Sequence, residues 1–543
     1  MTATSQSAAA DVPGTAARRP RDPRLDFFRG LAMFIILIAH TPGNSWTLWI
    51  PARFGFSDAA DIFVFCSGMA SAMAFGAVFA RRGWWLGTAR VALRVWQVYW
   101  AHVGVFLVTA AMLFAFDHFG LGFRERPYIE GPYVVPLFSE TGEALIGLLT
   151  LSWVPGLFDI LPMYLVILGL VPVVMLLHRY GGLASAVAFV LGLWLAAQFA
   201  GYARTVEPGE AGGALGAAAL ALGERLQFLN PPSSPFGDHV WFFNPFAWQL
   251  IFFSGFALGM GWLRPPPVDR RLVLLAAGFV LLVVPFAWFK IHGGIYLPEQ
   301  WALTGWIADT RARAEPLWWK TWVGALRYAH FIALVYLAWV AVGPEGRRLS
   351  QGFPTPGAAR PAVLAAAGVV AVATVPYTYI EEIRALAPAL DAWIVATLPM
   401  APGPRVGLVQ LVHLAAVVVL GWAALGAAGR RWLTRDAVVR AVPVVRKVGT
   451  QSLAVFMVSI VLARFNGWVL DWMEQDHVWG DRDVWTRAIV NLWGFAVLIA
   501  TAYVVSWFKR QPWREAVPPA APRSAAAGAG EVRAPRPAMA PRR

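Results

Sequence analysis

Apolar runs close to the roughly 20 residues that a helix needs to cross a hydrocarbon core recur from one end of this chain to the other. A chain built this way has to satisfy its backbone inside each segment, so helices span the bilayer and the missing alternation excludes a β-barrel. With 58% hydrophobic and 14% charged residues over 543 positions, no single soluble core could hide the apolar surface. The fold class is therefore an all-α polytopic integral membrane protein. Spans are expected near 27–41, 60–80, 95–116, 157–177, 183–202, 244–263, 271–289, 325–343, 361–380, 406–428, 450–470 and 487–508, which makes ten to twelve helices. Ala and Gly dominate 361–380 and Pro376 interrupts its end, so this span is the weakest of the set.

The flanks are different in kind. Residues 1–20 are rich in Ala, Ser, Thr and Arg without the apolar stretch of a cleavable signal, and 512–543 are rich in Pro, Ala and Arg; both read as disordered tails. The net charge of +14 does not point to nucleic acid, because the basic residues sit in short connections between spans, where membrane topology explains them. Arg18, Arg19, Arg21 and Arg24 precede the first span and Arg81, Arg82, Arg90 and Arg94 follow the second, so both segments are expected on the cytoplasmic side. An even number of spans returns both termini there. The connection 203–243 carries only Arg204 and Arg225 as basic residues and is expected on the outer face. The single cysteine, Cys66, excludes an intramolecular disulfide and a cysteine metal site, and reads as packing. No metal motif stands out.

The chemistry concentrates in the first hundred residues. Arg21, Asp22, Arg24, Asp26 and Arg29 crowd the mouth of the first span, and His40 follows Arg29 by eleven positions. Eleven residues bring a helix back almost to its starting azimuth, so the two side chains share a face about 16 Å apart along the axis. A cation at the interface could hold the phosphates of an acyl-coenzyme A donor, with His40 deeper in the span as the base for a hydroxyl. The competing reading makes Arg29 a snorkelling topology signal and His40 a polar helix end before Pro42 and Gly43. Asp58 and Asp61 open the second span one turn apart; Asp61 could orient His40, whereas Asp58 after Ser57 suits a helix cap better. Arg90 and Arg94 share a face and could hold donor phosphates, or simply anchor the topology. Leu326–Leu334 and Val409–Val417 each place a His one turn into an apolar helix, a similarity that convergence explains. Gly68 and the small residues after it suit close helix packing.

Taken in order, Arg29-x10-His40, the segment Asp61-Ile-Phe-Val-Phe-Cys-Ser-Gly68 and Arg94-Val-Trp-Gln-Val-Tyr99 resemble the signature of the transmembrane acyltransferase 3 superfamily. The string from Arg21 to Gly30 and Phe54-Gly-Phe-Ser-Asp-Ala-Ala-Asp61 are similar to its OpgC branch, as are Ile160–Tyr164, Asn244–Gln249 and Gly449–Phe456. The resemblance implies one membrane domain over 21–511, with 344–404 as a segment outside the likeness and a possible insertion. It implies a bacterial inner-membrane enzyme that succinylates osmoregulated periplasmic glucans. The acyl group would come from a cytoplasmic acyl-CoA, succinyl-CoA by implication, used as a cosubstrate with no bound cofactor. In that reading His40 and Asp61 are catalytic, Arg29, Arg90 and Arg94 bind the donor, and Arg24, Asp26 and Asp58 support them. A secondary transporter of an anionic solute is the alternative from another class. Neither the oligomeric state nor the acceptor sugar is written in the residues.

Overall fold

The structure is a computed structural model; it describes residues 22–514 apart from 132–133, 208, 210–211, 298–299, 379–388, 390–404 and 476–483. The expected N-terminal tail, residues 515–543 of the C-terminal one, the end of the 361–380 span and the acidic pair Glu381 and Glu382 lie outside the described residues.

Among the described residues eleven helices carry the architecture: α1 (Pro23–His40), α2 (Ala59–His118), α3 (Ile160–Thr205), α4 (Pro245–Met260), α5 (Arg270–Ala287), α6 (Ala325–Val342), α7 (Pro361–Thr378), α8 (Arg405–Ala424), α9 (Ala437–Thr450), α10 (Ser452–Gln475) and α11 (Val484–Arg510). Among the described residues extended pairing is confined to one antiparallel bridge, Pro232 with Val240. Among the described residues seven helices pass as spans on length and apolarity, or eight when the bent pair Val409–Ala424 and Gly426–Thr450 counts as one. The described residues of all twelve expected stretches nevertheless fall mainly on helix, and the difference has physical causes. At 60 and 46 residues, α2 and α3 each hold two expected spans, broken at Gly83 (φ 80°) and Gly182 (φ 68°). Only a residue without Cβ takes that backbone cheaply, which is why each break falls on glycine. Ring contact of Phe79 where a Gly87 side chain would sit packs the two arms of α2 together. In α1 the charges Arg24, Asp26 and Arg29 dilute the apolar run, and α4 has only 16 residues.

Small residues decide which helices touch. Gly30 lies against the Val445 carbonyl and Gly449 against the Asp26 carbonyl, so α1 and α9 meet backbone to backbone. Likewise Gly68 faces the Phe252 carbonyl, and Gly255 and Gly259 face Phe65 and Met69, joining α2 to α4. The buried stripe of α1, Ala32, Met33, Ile36 and Leu37, recurs at helical spacing and enters one large core with Phe63, Phe106, Trp248 and Phe252. Histidines of the two similar segments bond across helices, His330 Nδ1 to Ser57 Oγ and His413 Nδ1 to Thr374 Oγ1, both at 2.8 Å. Polar groups buried among apolar helices need such partners.

Candidate active site

His40 is the last residue of α1, released into a loop by Thr41, Pro42 and Gly43. Its ring Nδ1 lies 2.8 Å from the carbonyl oxygen of Ile36, one turn back. A carbonyl can only accept, so Nδ1 carries the proton and the lone pair of the neutral ring is left on Nε2. The backbone of its own helix thus sets both tautomer and ring direction.

The imidazole lines a chamber of about 500 Å³ together with Asp58, Asp159, Lys320 and Arg464, between apolar walls that include Ile36, Phe243 and Phe456. Gly131, Gly156 and Arg464 also line a larger cavity of about 1260 Å³, so the two volumes meet there. That outer vestibule is walled by Trp153, Trp468, Tyr128 and Arg124. Asp471 accepts from Tyr128 Oη and from Arg124 Nη2, each at 2.8 Å, tying the 119–135 connection to α10. Burial, with the Asp471 carboxylate at its hydroxyl, pushes the Tyr128 phenol up to about 12, so it stays a neutral donor at neutral pH.

Four charges brace the inner chamber. Asp58 caps α2: its carboxylate accepts from Ala60 N at 2.8 Å while Asp61 Oδ2 accepts from Asp58 N at 2.8 Å, a reciprocal capping box. Arg327, near the start of α6, reaches both carboxylates, at 2.5 Å to Asp61 and 3.3 Å to Asp58, and Lys320 Nζ lies 2.6 Å from Asp58. Trp248 of α4 donates its indole N–H to the Lys320 carbonyl at 3.0 Å and lies under the Arg327 guanidinium. Asn244 organises that corner: its Oδ1 caps α4, with Pro245 at the first helical position, and its Nδ2 donates to Leu229 O at 2.7 Å.

Against the comparisons with known proteins, residues 21–359 and 351–510 match the family model described as OpgC protein, which takes in nearly the whole membrane region. The chain belongs to the OpgC family. No curated protein and no solved structure matches it. OpgC membership points to a transferase.

Of the residues singled out in the sequence of this OpgC chain, the fold brings His40 and Asp58 into one chamber. Asp61 is fully buried one turn beyond Asp58, with its oxygens on Arg327 and on Asp58 N; the ring of His40 is oriented by Ile36. Arg29 and Asp26 are buried toward the opposite end of α1. Arg24 is bidentate with Asp22 and stacks 3.6 Å from the centre of the Trp339 ring. Arg90 is exposed and Arg94 half-buried, with its guanidinium 3.3 Å from Gln97 Oε1. None of these five lines either cavity. Sequence reasoning missed Lys320, Arg327 and Arg464 as site residues. The signal was present for two of them, since Arg464 is the only charge between Lys447 and Asp471, and Arg327 opens an apolar helix; ionisable groups in spans mark function.

Proposed function

We propose that this protein is a membrane-embedded O-acyltransferase of the bacterial inner membrane, moving a succinyl group from a cytoplasmic acyl-CoA to hydroxyls of periplasmic glucans. His40 acts as the general base. Its Nε2 takes the proton of the acceptor hydroxyl while the hydroxyl oxygen attacks the thioester carbonyl; the C–S bond breaks as the ester C–O bond forms, and the leaving thiolate takes up the proton. The observation that carries this reading is the Nδ1 contact to Ile36 O, which leaves a basic lone pair on Nε2 beside a chamber wide enough for a small reacting fragment. The vestibule, with aromatic faces and hydrogen-bonding side chains, suits a sugar chain and is the acceptor's side.

The donor's phosphates fall to Arg29, Arg90 and Arg94, at the end of the bundle where the basic connections gather. Both termini share that cytoplasmic side. Asp61 serves His40 indirectly, by fixing Arg327 and through it Asp58. The test is mass spectrometry of periplasmic glucans from cells lacking the protein, complemented with wild type or His40→Ala at matched membrane abundance. Wild type restores a succinyl mass increment and His40→Ala does not. Restoration by both removes His40 from the chemistry, and restoration by neither removes the substrate class and brings forward an anion transporter.

A further inference from the structure

Arg464 is the one cation of the inner chamber that has no hydrogen-bond or ion-pair partner among the described residues. Lys320 is held by Asp58, and the chamber's other carboxylate, Asp159, lies within the electrostatic reach of Lys320. Arg327 is shared by Asp58 and Asp61, and Arg124, whose charge acts on Arg464 from the vestibule side, is itself paired with Asp471. The four charges that brace the chamber pair with one another, and Arg464 and Asp159 stand outside those pairs. It projects from the middle of α10, half-buried, at the place where chamber and vestibule meet, and its charge is felt by His40. Taking a cation out of water without a counter-ion is costly, and a guanidinium presents a planar fork that fits a carboxylate. The apolar walls of the chamber suit a short acyl chain, and the wider vestibule has room for a bulkier group.

Resting on the acyltransferase reading, we propose that Arg464 binds the terminal carboxylate of a dicarboxylic acyl group, and so selects succinyl over acetyl while His40 serves the carbonyl at the other end of the same short chain.

Full-length protein in proteoliposomes, given equimolar succinyl-CoA and acetyl-CoA with a β-glucan oligosaccharide, reads the selection directly as the ratio of succinyl to acetyl products by mass spectrometry. Wild type favours succinyl. In Arg464→Gln the ratio falls about ten- to a hundredfold, the worth of one charge-assisted hydrogen-bonded contact, and Arg464→Lys recovers part of it. An unchanged ratio in both variants overturns the proposal, as does a wild type indifferent between the donors. Loss of both products in Arg464→Gln with an unaltered melting temperature also overturns it, because the arginine then serves transfer itself. If wild type transfers neither acyl group, the acyltransferase reading fails first and this inference goes with it.

Discussion

At the scale of single residues, the site is governed by where hydrogen-bond acceptors lie. Ile36 O fixes the tautomer of His40, a task expected of a carboxylate from the sequence, and this frees Asp61 to bind Arg327. Removing the shared cation strands the fully buried Asp61 beside Asp58, which keeps only Lys320. Arg327→Met is therefore expected to destabilise the protein by about 3–5 kcal/mol, the usual cost of stranding a buried partner. The measurement is thermal melting in detergent, and a variant that melts with wild type would mean water already screens the cluster. Lys320 is a third exposed and touches only Asp58 among the described carboxylates. Lys320→Met is expected to melt much closer to wild type than Arg327→Met in the same assay.

Among helices, glycine spacing does what side-chain volume does in soluble cores. A Cβ at Gly68 would run into the Phe252 carbonyl, and one at Gly449 into the Asp26 carbonyl. Backbone cannot step aside as a flexible side chain can. Gly68→Val and Gly449→Val are each expected to cost about 1–3 kcal/mol, the range for overpacking, read as lower melting temperature and lower membrane yield. By contrast, Gly104 has open space around its missing side chain, and Gly104→Ala should be neutral or slightly stabilising. Normal yield of Gly68→Val would show that α2 and α4 slide apart more easily than their contact implies.

For the whole molecule, α1 sets two ends apart. His40, the openings of α2, α3 and α6, and the vestibule gather at one end, while Arg29 and the contact with α9 lie toward the other. In the proposed inner-membrane orientation, with the basic connections on the cytoplasmic side, the His40 end faces outward. The native cysteine is buried, so a single introduced cysteine reports the side cleanly. Glu125→Cys, beside the vestibule, should react with a membrane-impermeant maleimide on intact cells in which the periplasm is accessible, and Arg81→Cys only after the inner membrane is opened. The reverse pattern would invert the orientation and put the acceptor cavity in the cytoplasm.

Much of this was legible before any coordinates. Apolar runs of bilayer length dictate helices, because a backbone in lipid has no other way to satisfy its polar groups, and the described residues of the expected spans fall mainly on helix. Gly68 announced close packing, Asp58 its capping role, and the position of His40 at the end of the first span followed from Pro42 and Gly43. What sequence alone could not decide was pairing across distance. Arg327 lies 266 positions from Asp61, and Lys320 and Arg464 reach the chamber from separate segments. Local periodicity says which face of a helix a residue occupies, not which other helix will meet that face. In a bilayer that choice rests on glycine contacts and on buried charges finding partners, and both are settled only when the helices assemble.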